Sequence, residues 1–267
     1  MSVMRVTVLG CGSSPGVPRI GNDWGACDPQ NSKNNRLRCS IMVEKEAPQG
    51  TTRVLIDTSP DLRTQMLREK VSRLDGVLYT HSHADHLHGI DDLRGFWIKQ
   101  RQLIDVYADQ ETTHRLFEGF GYCFETPEGS SYPPILQHNA IEAGQPVSIH
   151  GPGGSISVLP FEQIHGDIRS LGFRIGSFAY SSDVSAIPDK SYKFLKNLDI
   201  WMLDALRYTP HPSHFSLGEA IAAAERVAAR HVIFTHMHID LDYEAVQQST
   251  PKNMEPAFDG MVFEIVD

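Results

Sequence analysis

The sequence predicts an α/β fold in which two β-sheets pack face to face between outer layers of helices. Three observations carry that expectation. Short apolar, β-branched runs recur along the chain in two sets, from residue 5 to residue 108 and from residue 156 to residue 266. Helix-like stretches separate them and can cover both outer faces. Four of the runs end on His81, His165, Asp183 and His236, where a rigid scaffold places functional groups on loops.

Taken in order, residues 5–9 form an alternating first strand. The following Gly10-Cys-Gly-Ser-Ser-Pro-Gly-Val-Pro-Arg19, which includes Ser14, is rich in turn residues and backbone donors; it suits a phosphate or a plain turn equally. Residues 20–38 are polar and irregular. Strand character resumes at 39–43 and 53–56, and Asp57-Thr-Ser-Pro-Asp61 then opens a helix, with Ser59 as N-cap and Pro60 at the first helical position. Residues 77–80 return as a strand, 89–95 open another helix, 105–108 form a strand and 110–120 a helix. The stretch 122–154, broken by Pro127, Pro133, Pro134, Pro146 and Pro152, is expected to be mainly an elaborated loop or lid. Beyond it, 156–164, a hairpin of 171–175 with 178–180, 200–204, 231–235 and 262–266 are strands. Ser216-Leu-Gly-Glu219 matches a capping box ahead of an alanine-rich helix. One domain spanning residues 1–267 accommodates the whole list.

The densest chemistry is Thr80-His-Ser-His-Ala-Asp-His86. Three imidazoles and a carboxylate in six residues serve no packing purpose. His81 and His83, two apart on chain leaving a strand, can point the same way and share one metal, while Asp85 and His86, past a tight turn, face a neighbouring position. The spacing therefore suggests two adjacent divalent ions, zinc or manganese, since mixed histidine and carboxylate sets accept either. Asp57 either orients a metal-bound histidine or caps a turn. Arg94, expected near the metals with Asp91 and Asp92, contacts a substrate phosphate or pairs with an aspartate. His214, just ahead of the capped helix, is a candidate general acid or phosphate ligand, against the plainer reading of a loop histidine.

Composition excludes several classes. With 24 Lys+Arg against 33 Asp+Glu, and no block of like charge, broad nucleic-acid or membrane-surface binding through a basic face is not expected. The four cysteines are few and widely spaced, which suits a reducing compartment, and a first strand in place of a signal peptide makes a cytoplasmic location the expectation. No apolar run is long enough to span a bilayer. The sequence is compatible with a homodimer and does not fix an oligomeric state.

On these residues the chain resembles the metallo-β-lactamase superfamily, the αββα metallohydrolases, over essentially its whole length. The resemblance implies a four-layer αββα sandwich and matches Asp57, the His81, His83, Asp85, His86 run, His165, Asp183 and His236 to the superfamily motifs. It implies His81, His83 and His165 on one ion, Asp85, His86 and His236 on the other, and Asp183 bridging. Two divalent ions less Asp85, Asp183 and a bridging hydroxide leave the site about one charge positive, suited to a phosphodiester attacked by that hydroxide. Within the superfamily the chain resembles the branch that opens phosphoribosyl 1,2-cyclic phosphate. That likeness lies in Leu9-Gly-Cys-Gly-Ser-Ser-Pro-Gly-Val-Pro18, Arg38-Cys-Ser40, Asp57-Thr-Ser-Pro-Asp61, Gly89-Ile-Asp-Asp-Leu-Arg94 and His214. It implies Asp85 and His214 as further catalytic participants. Where that branch has a cysteine cluster for a structural zinc, this chain offers Cys27 alone.

The expected activity is hydrolysis of a small phosphodiester, linear or cyclic, or of a nucleotide-like substrate. A tRNA 3′-end-processing endonuclease shares the motifs, but residues 122–154 contain no Lys or Arg for a basic arm. A thioester or lactone hydrolase uses the same metals. A non-catalytic nucleotide-binding protein retaining the fold is the reading outside enzymes, and the intact ligand set counts against it.

Overall fold

The computed structural model describes residues 3–266. The strands are β1 (Val3–Gly10), β2 (Ser40–Ala47), β3 (Gly50–Ile56), β4 (Gly76–Leu78), β5 (Ile104–Ala108), β6 (Leu136–Ala140), β7 (Val147–Ile149), β8 (Ile156–His165), β9 (Ile168–Ile175), β10 (Phe178–Ser181), β11 (Ile200–Asp204), β12 (His231–Thr235), β13 (Met254–Pro256) and β14 (Val262–Val266). The helices are α1 (Leu62–Arg68), α2 (Ala84–Leu87), α3 (Arg94–Gln100), α4 (Gln110–Phe120), α5 (Leu217–Val227) and α6 (Tyr243–Ser249). One sheet runs β14-β1-β2-β3-β4-β5-β6 and the other β13-β12-β11-β10-β9-β8-β7.

Side-chain alternation along the first sheet builds two apolar layers. Met4, Val6, Val8, Ile41, Val43, Val54, Ile56 and Leu78 join the second sheet in one core, while Leu9, Met42, Leu55, Val77 and Tyr79 face the other way, onto Leu62 and Met66 of α1, Phe96 of α3 and Leu116 of α4. Each such side chain, fully buried, contributes on the order of 1.5–3 kcal/mol. Leu217, Ala220 and Ala224 of α5 join the core of the second sheet. The expected two-sheet sandwich is therefore present.

Strand direction places the functional residues. β3 to β6 run parallel, as do β10 to β13, so each set delivers its C-terminal ends to one edge. Asp57 follows β3, His81 follows β4, Asp183 follows β10, Asp204 ends β11 and His236 follows β12. Asp57, Asp183 and His236 adopt φ of 65°, 55° and 58°. Non-glycine residues reach that left-handed region at a cost the surrounding structure must hold in place. Gly89 lets the chain after the histidine run touch the Asp57 loop: its N–H donates to the Thr58 carbonyl at 2.9 Å, and a Cβ there would collide with the Ser59 carbonyl.

Several expectations need correcting. Helix α1 starts at Leu62, with Asp61 as N-cap; Ser59 Oγ instead accepts from Asp61 N–H at 3.2 Å, a turn that precedes the helix. The stretch 122–154 is not all loop, because Leu136–Ala140 and Val147–Ile149 are strands that complete one edge of each sheet. Their mixed polar sequence follows from that edge position, where one face stays wet. The capping box matches its expectation: Ser216 Oγ accepts from Glu219 N–H at 3.3 Å and the Glu219 carboxylate accepts from Ser216 N–H at 2.8 Å. Replacing Ser216 by Ala should lower stability by about 1 kcal/mol, read as a shift in the urea midpoint at unchanged slope; an unchanged midpoint would remove the cap from this account.

Candidate metal centre

Asp57 is fully buried beneath the histidine run. One carboxylate oxygen accepts the Thr80 N–H at 2.8 Å, and the other accepts Thr80 Oγ1–H at 2.8 Å and His86 Nδ1–H at 2.7 Å. Having given its proton to Asp57, the Thr80 hydroxyl is left to accept from His81 Nδ1, 3.0 Å away. One carboxylate thus fixes two rings so that both turn Nε2 inward. His165 is set the same way, its Nδ1 donating to the Ser213 carbonyl at 2.6 Å.

The inward atoms form two groups of four donors, His81, His83, His165 and Asp183, and Asp85, His86, Asp183 and His236, each with its ligand atoms within 4.8 Å of one another. Asp183 belongs to both. Its Oδ2 lies 3.8 Å from His81 Nε2 and 3.7 Å from His165 Nε2, and its Oδ1 lies 3.0 Å from His86 Nε2 and 3.4 Å from His236 Nε2. Asp85 closes the second group, 3.4 Å from His86 Nε2 and 3.7 Å from His236 Nε2.

The residues fit a pair of divalent cations on chemical grounds. Nε2 of His81, His86 and His236 is buried without a hydrogen-bond partner, which costs free energy unless a cation takes the lone pair. Nδ1 of His83 and Nε2 of His165 face each other at 3.2 Å; with its Nδ1 proton committed to Ser213, His165 offers a lone pair there. Burial opposes a charge on Asp183, yet His236 and His86 outweigh it and hold the carboxyl well below its usual range. Burial also acts against a charge on His86, but Asp183, Asp85 and Asp57 raise it well above its usual value, so a cation binding there would displace the ring proton and take its place. Burial likewise acts against Asp85, and His86 and His236 hold it low. Burial pushes His81 well down, leaving it neutral and able to ligate.

Beside this pair lies a third group, Asp204, His214 and His236. His214 Nδ1 donates to Asp204 Oδ2 at 2.8 Å, its Nε2 stands 3.9 Å from Asp183 Oδ2, and its ring stacks on His236 with centroids 4.6 Å apart. Burial works against the charged ring, but the Asp204 carboxylate prevails and lifts His214 to about 9. Asp204, fully buried, was not singled out from sequence. The only signal was its place at the end of an apolar strand, the position shared by the other site residues.

Neither Arg94 nor Ser14 belongs to the clusters, and Arg94 takes the aspartate pair that was one of its two expected alternatives. Arg94 pairs with Asp91 at 2.8 Å and, with Asp92, lines a 470 Å³ groove between α1 and α3 that contains none of the clustered histidines. The 3-10 turn Ile90–Leu93 carries these residues around to the outer helical layer. Ser14 is exposed, and its carbonyl accepts from Arg38 Nε at 3.3 Å. The neighbouring Ser13 is buried; its N–H donates to the Met237 carbonyl beside His236, and its Oγ lacks a partner.

A Beta-lactamase superfamily domain matches residues 52–237, more than half the chain and the whole span of these clusters. The chain is a metallohydrolase of the β-lactamase superfamily. Among solved structures it is similar to a new diphosphatase from the PhnP family, 36% identical, covering 98% of this chain and 97% of that one at a TM-score of 0.87. Human tRNase Z, short form, superposes at a TM-score of 0.65 over 97% of this chain and 98% of that one; at 17% identity this shows the fold alone. An octanoyltransferase of Porphyromonas gingivalis (strain ATCC BAA-308 / W83) is 30% identical over 264 residues, 97% of this chain and 51% of that protein, so the chain spans about half the length of the curated relative it matches. Among the described residues no helix is long and apolar enough to cross a membrane.

Replacing Asp57 by Ala strips the partner from Thr80 and His86. Divalent-metal affinity, measured by calorimetry on chelator-treated protein, should fall about ten- to a hundredfold; full affinity in that variant would deny Asp57 its orienting role.

Proposed function

We propose that the protein is a dinuclear metal-dependent phosphodiesterase acting on a small phosphodiester, with zinc or manganese as the ions. The observation that carries this reading is the sharing of Asp183 between two four-donor clusters. His81, His83 and His165 would hold one ion, Asp85, His86 and His236 the other, and Asp183 both. Two such ions supply an activated water and neutralise charge on the attacking and leaving oxygens of a phosphoryl displacement. With Asp85 and Asp183 ionised, the loaded site keeps a small positive excess, matched to the single negative charge of a diester.

His214 supplies the proton the leaving oxygen needs. Its Nδ1 is tied to Asp204, so the proton available to substrate sits on Nε2, the atom turned toward Asp183. The ring is charged below its raised pKa of about 9 and loses the proton as pH rises through it. Cations beside it lower that value, so the alkaline limb of kcat/KM should lie below about 9. In His214→Ala that limb should vanish and kcat/KM should fall by about 10²–10⁴ at unchanged metal content. A wild-type limb that persists in the variant would assign the proton to another group.

The likeness to a PhnP-family diphosphatase supports a second reading, hydrolysis of a diphosphate linkage by the same groups. The tRNA-processing reading gains only a shared fold and still lacks basic residues in 122–154. Octanoyl transfer belongs to the name of a protein about twice as long. Manganese- or zinc-loaded protein should cleave an activated phosphodiester and not the matching monoester, with diphosphate-linked nucleotides assayed alongside, and Asp183→Ala should abolish turnover. Absence of turnover on both substrate classes with both clusters filled would refute the phosphodiesterase reading.

A further inference from the structure

Asp183 is common to both clusters, and its geometry is held from outside them. Its left-handed backbone is tied back by the Ser170 hydroxyl on β9, which donates to the Asp183 carbonyl at 2.8 Å; Gln163 on β8 donates its amide to Ser170 Oγ at 3.3 Å. The side chain has its own anchor, because the Ser182 hydroxyl donates to Asp183 Oδ1 at 2.7 Å. Ser182, Ser170 and Gln163 are all buried, so bulk water does not compete for these bonds.

The two carboxylate oxygens are therefore not equivalent. Oδ1, which faces His86 and His236, carries the Ser182 hydrogen bond. Oδ2, which faces His81, His165 and His214, has no hydroxyl donor among the described residues. A carboxylate torsion is broad and close to two-fold, so an untethered Asp183 is free to swing Oδ1 off the line to His86 and His236. We propose that Ser182 is a positioning residue that locks the Asp183 carboxylate and specifically maintains the metal site formed by Asp85, His86 and His236. This rests on the two-metal reading above. Asp183 thus serves the two clusters through differently held oxygens, so the two sites are expected to load as separate steps.

The test is titration of the chelator-treated full chain with Co(II), followed by visible absorbance and calorimetry. Wild type should bind in two resolved steps, the one belonging to the Asp85, His86 and His236 site identified by its loss in His236→Ala. In Ser182→Ala that step should shift about ten- to a hundredfold to higher concentration, with the other step and the thermal midpoint of the metal-free protein unchanged. Ser182→Cys, of similar volume and with a weak S–H donor, should fall between the two, and it serves if the alanine variant does not fold. Equal weakening of both steps, or no change in either, overturns the proposal and leaves the two-metal reading standing. A single step in wild type, at one ion per chain, overturns both.

Discussion

Everything at the edge of this sandwich depends on one constraint: a carboxylate buried between two sheets must be paired. Asp57, Asp183 and Asp204 are each at most 2% exposed, and an isolated buried anion is far too costly to keep. Each one solves the problem through imidazole. Asp57 holds His86 directly and His81 through Thr80, and Asp204 holds His214. Asp183 is left facing His81, His86, His165 and His236 at once. Asp57 fixes His81 and His86 and their tautomers so that lone pairs converge on the inner carboxylate, while Asp204 keeps a proton on His214. The convergent lone pairs are what a cation pair satisfies.

The fold makes this convergence possible by pairing opposite halves of two mixed sheets. β3 and β4 deliver Asp57 and His81 from one sheet; β10, β11 and β12 deliver Asp183, Asp204 and His236 from the other. Their shared core of β-branched and aromatic side chains sets the sheets in register. The left-handed conformations at Asp57, Asp183 and His236 are the local strain through which the backbone turns each side chain into the gap. The Gly89 contact with the Asp57 loop brings the histidine run close enough for the hydrogen bonds to form.

Much of this was readable from sequence, for physical reasons that also explain the failures. The run His81, His83, Asp85, His86 stands out because its composition has no packing rationale, and His165, Asp183 and His236 because each closes an apolar strand. Asp204 closes one too, but a lone aspartate after Ile200-Trp-Met-Leu is indistinguishable from a strand terminator until His214 is folded onto it. For Arg94 the sequence left a phosphate contact and an aspartate pair open, and a 3-10 turn that sets it beside Asp91 realises the pair. Strands β6 and β7 were hidden by prolines and polar residues that suit edge strands as readily as loops. Helix α6 and strand β13 are short, and no periodicity marks them.

The central claim is that Asp183 joins two metal sites. Anomalous diffraction from a crystal of manganese- or zinc-loaded protein, collected at the metal edge, tests it most directly. Two peaks about 3.5–4 Å apart are expected on either side of Asp183, one against His81, His83 and His165 and the other against Asp85, His86 and His236. One peak alone, or two that leave Asp183 outside both coordination shells, would contradict it.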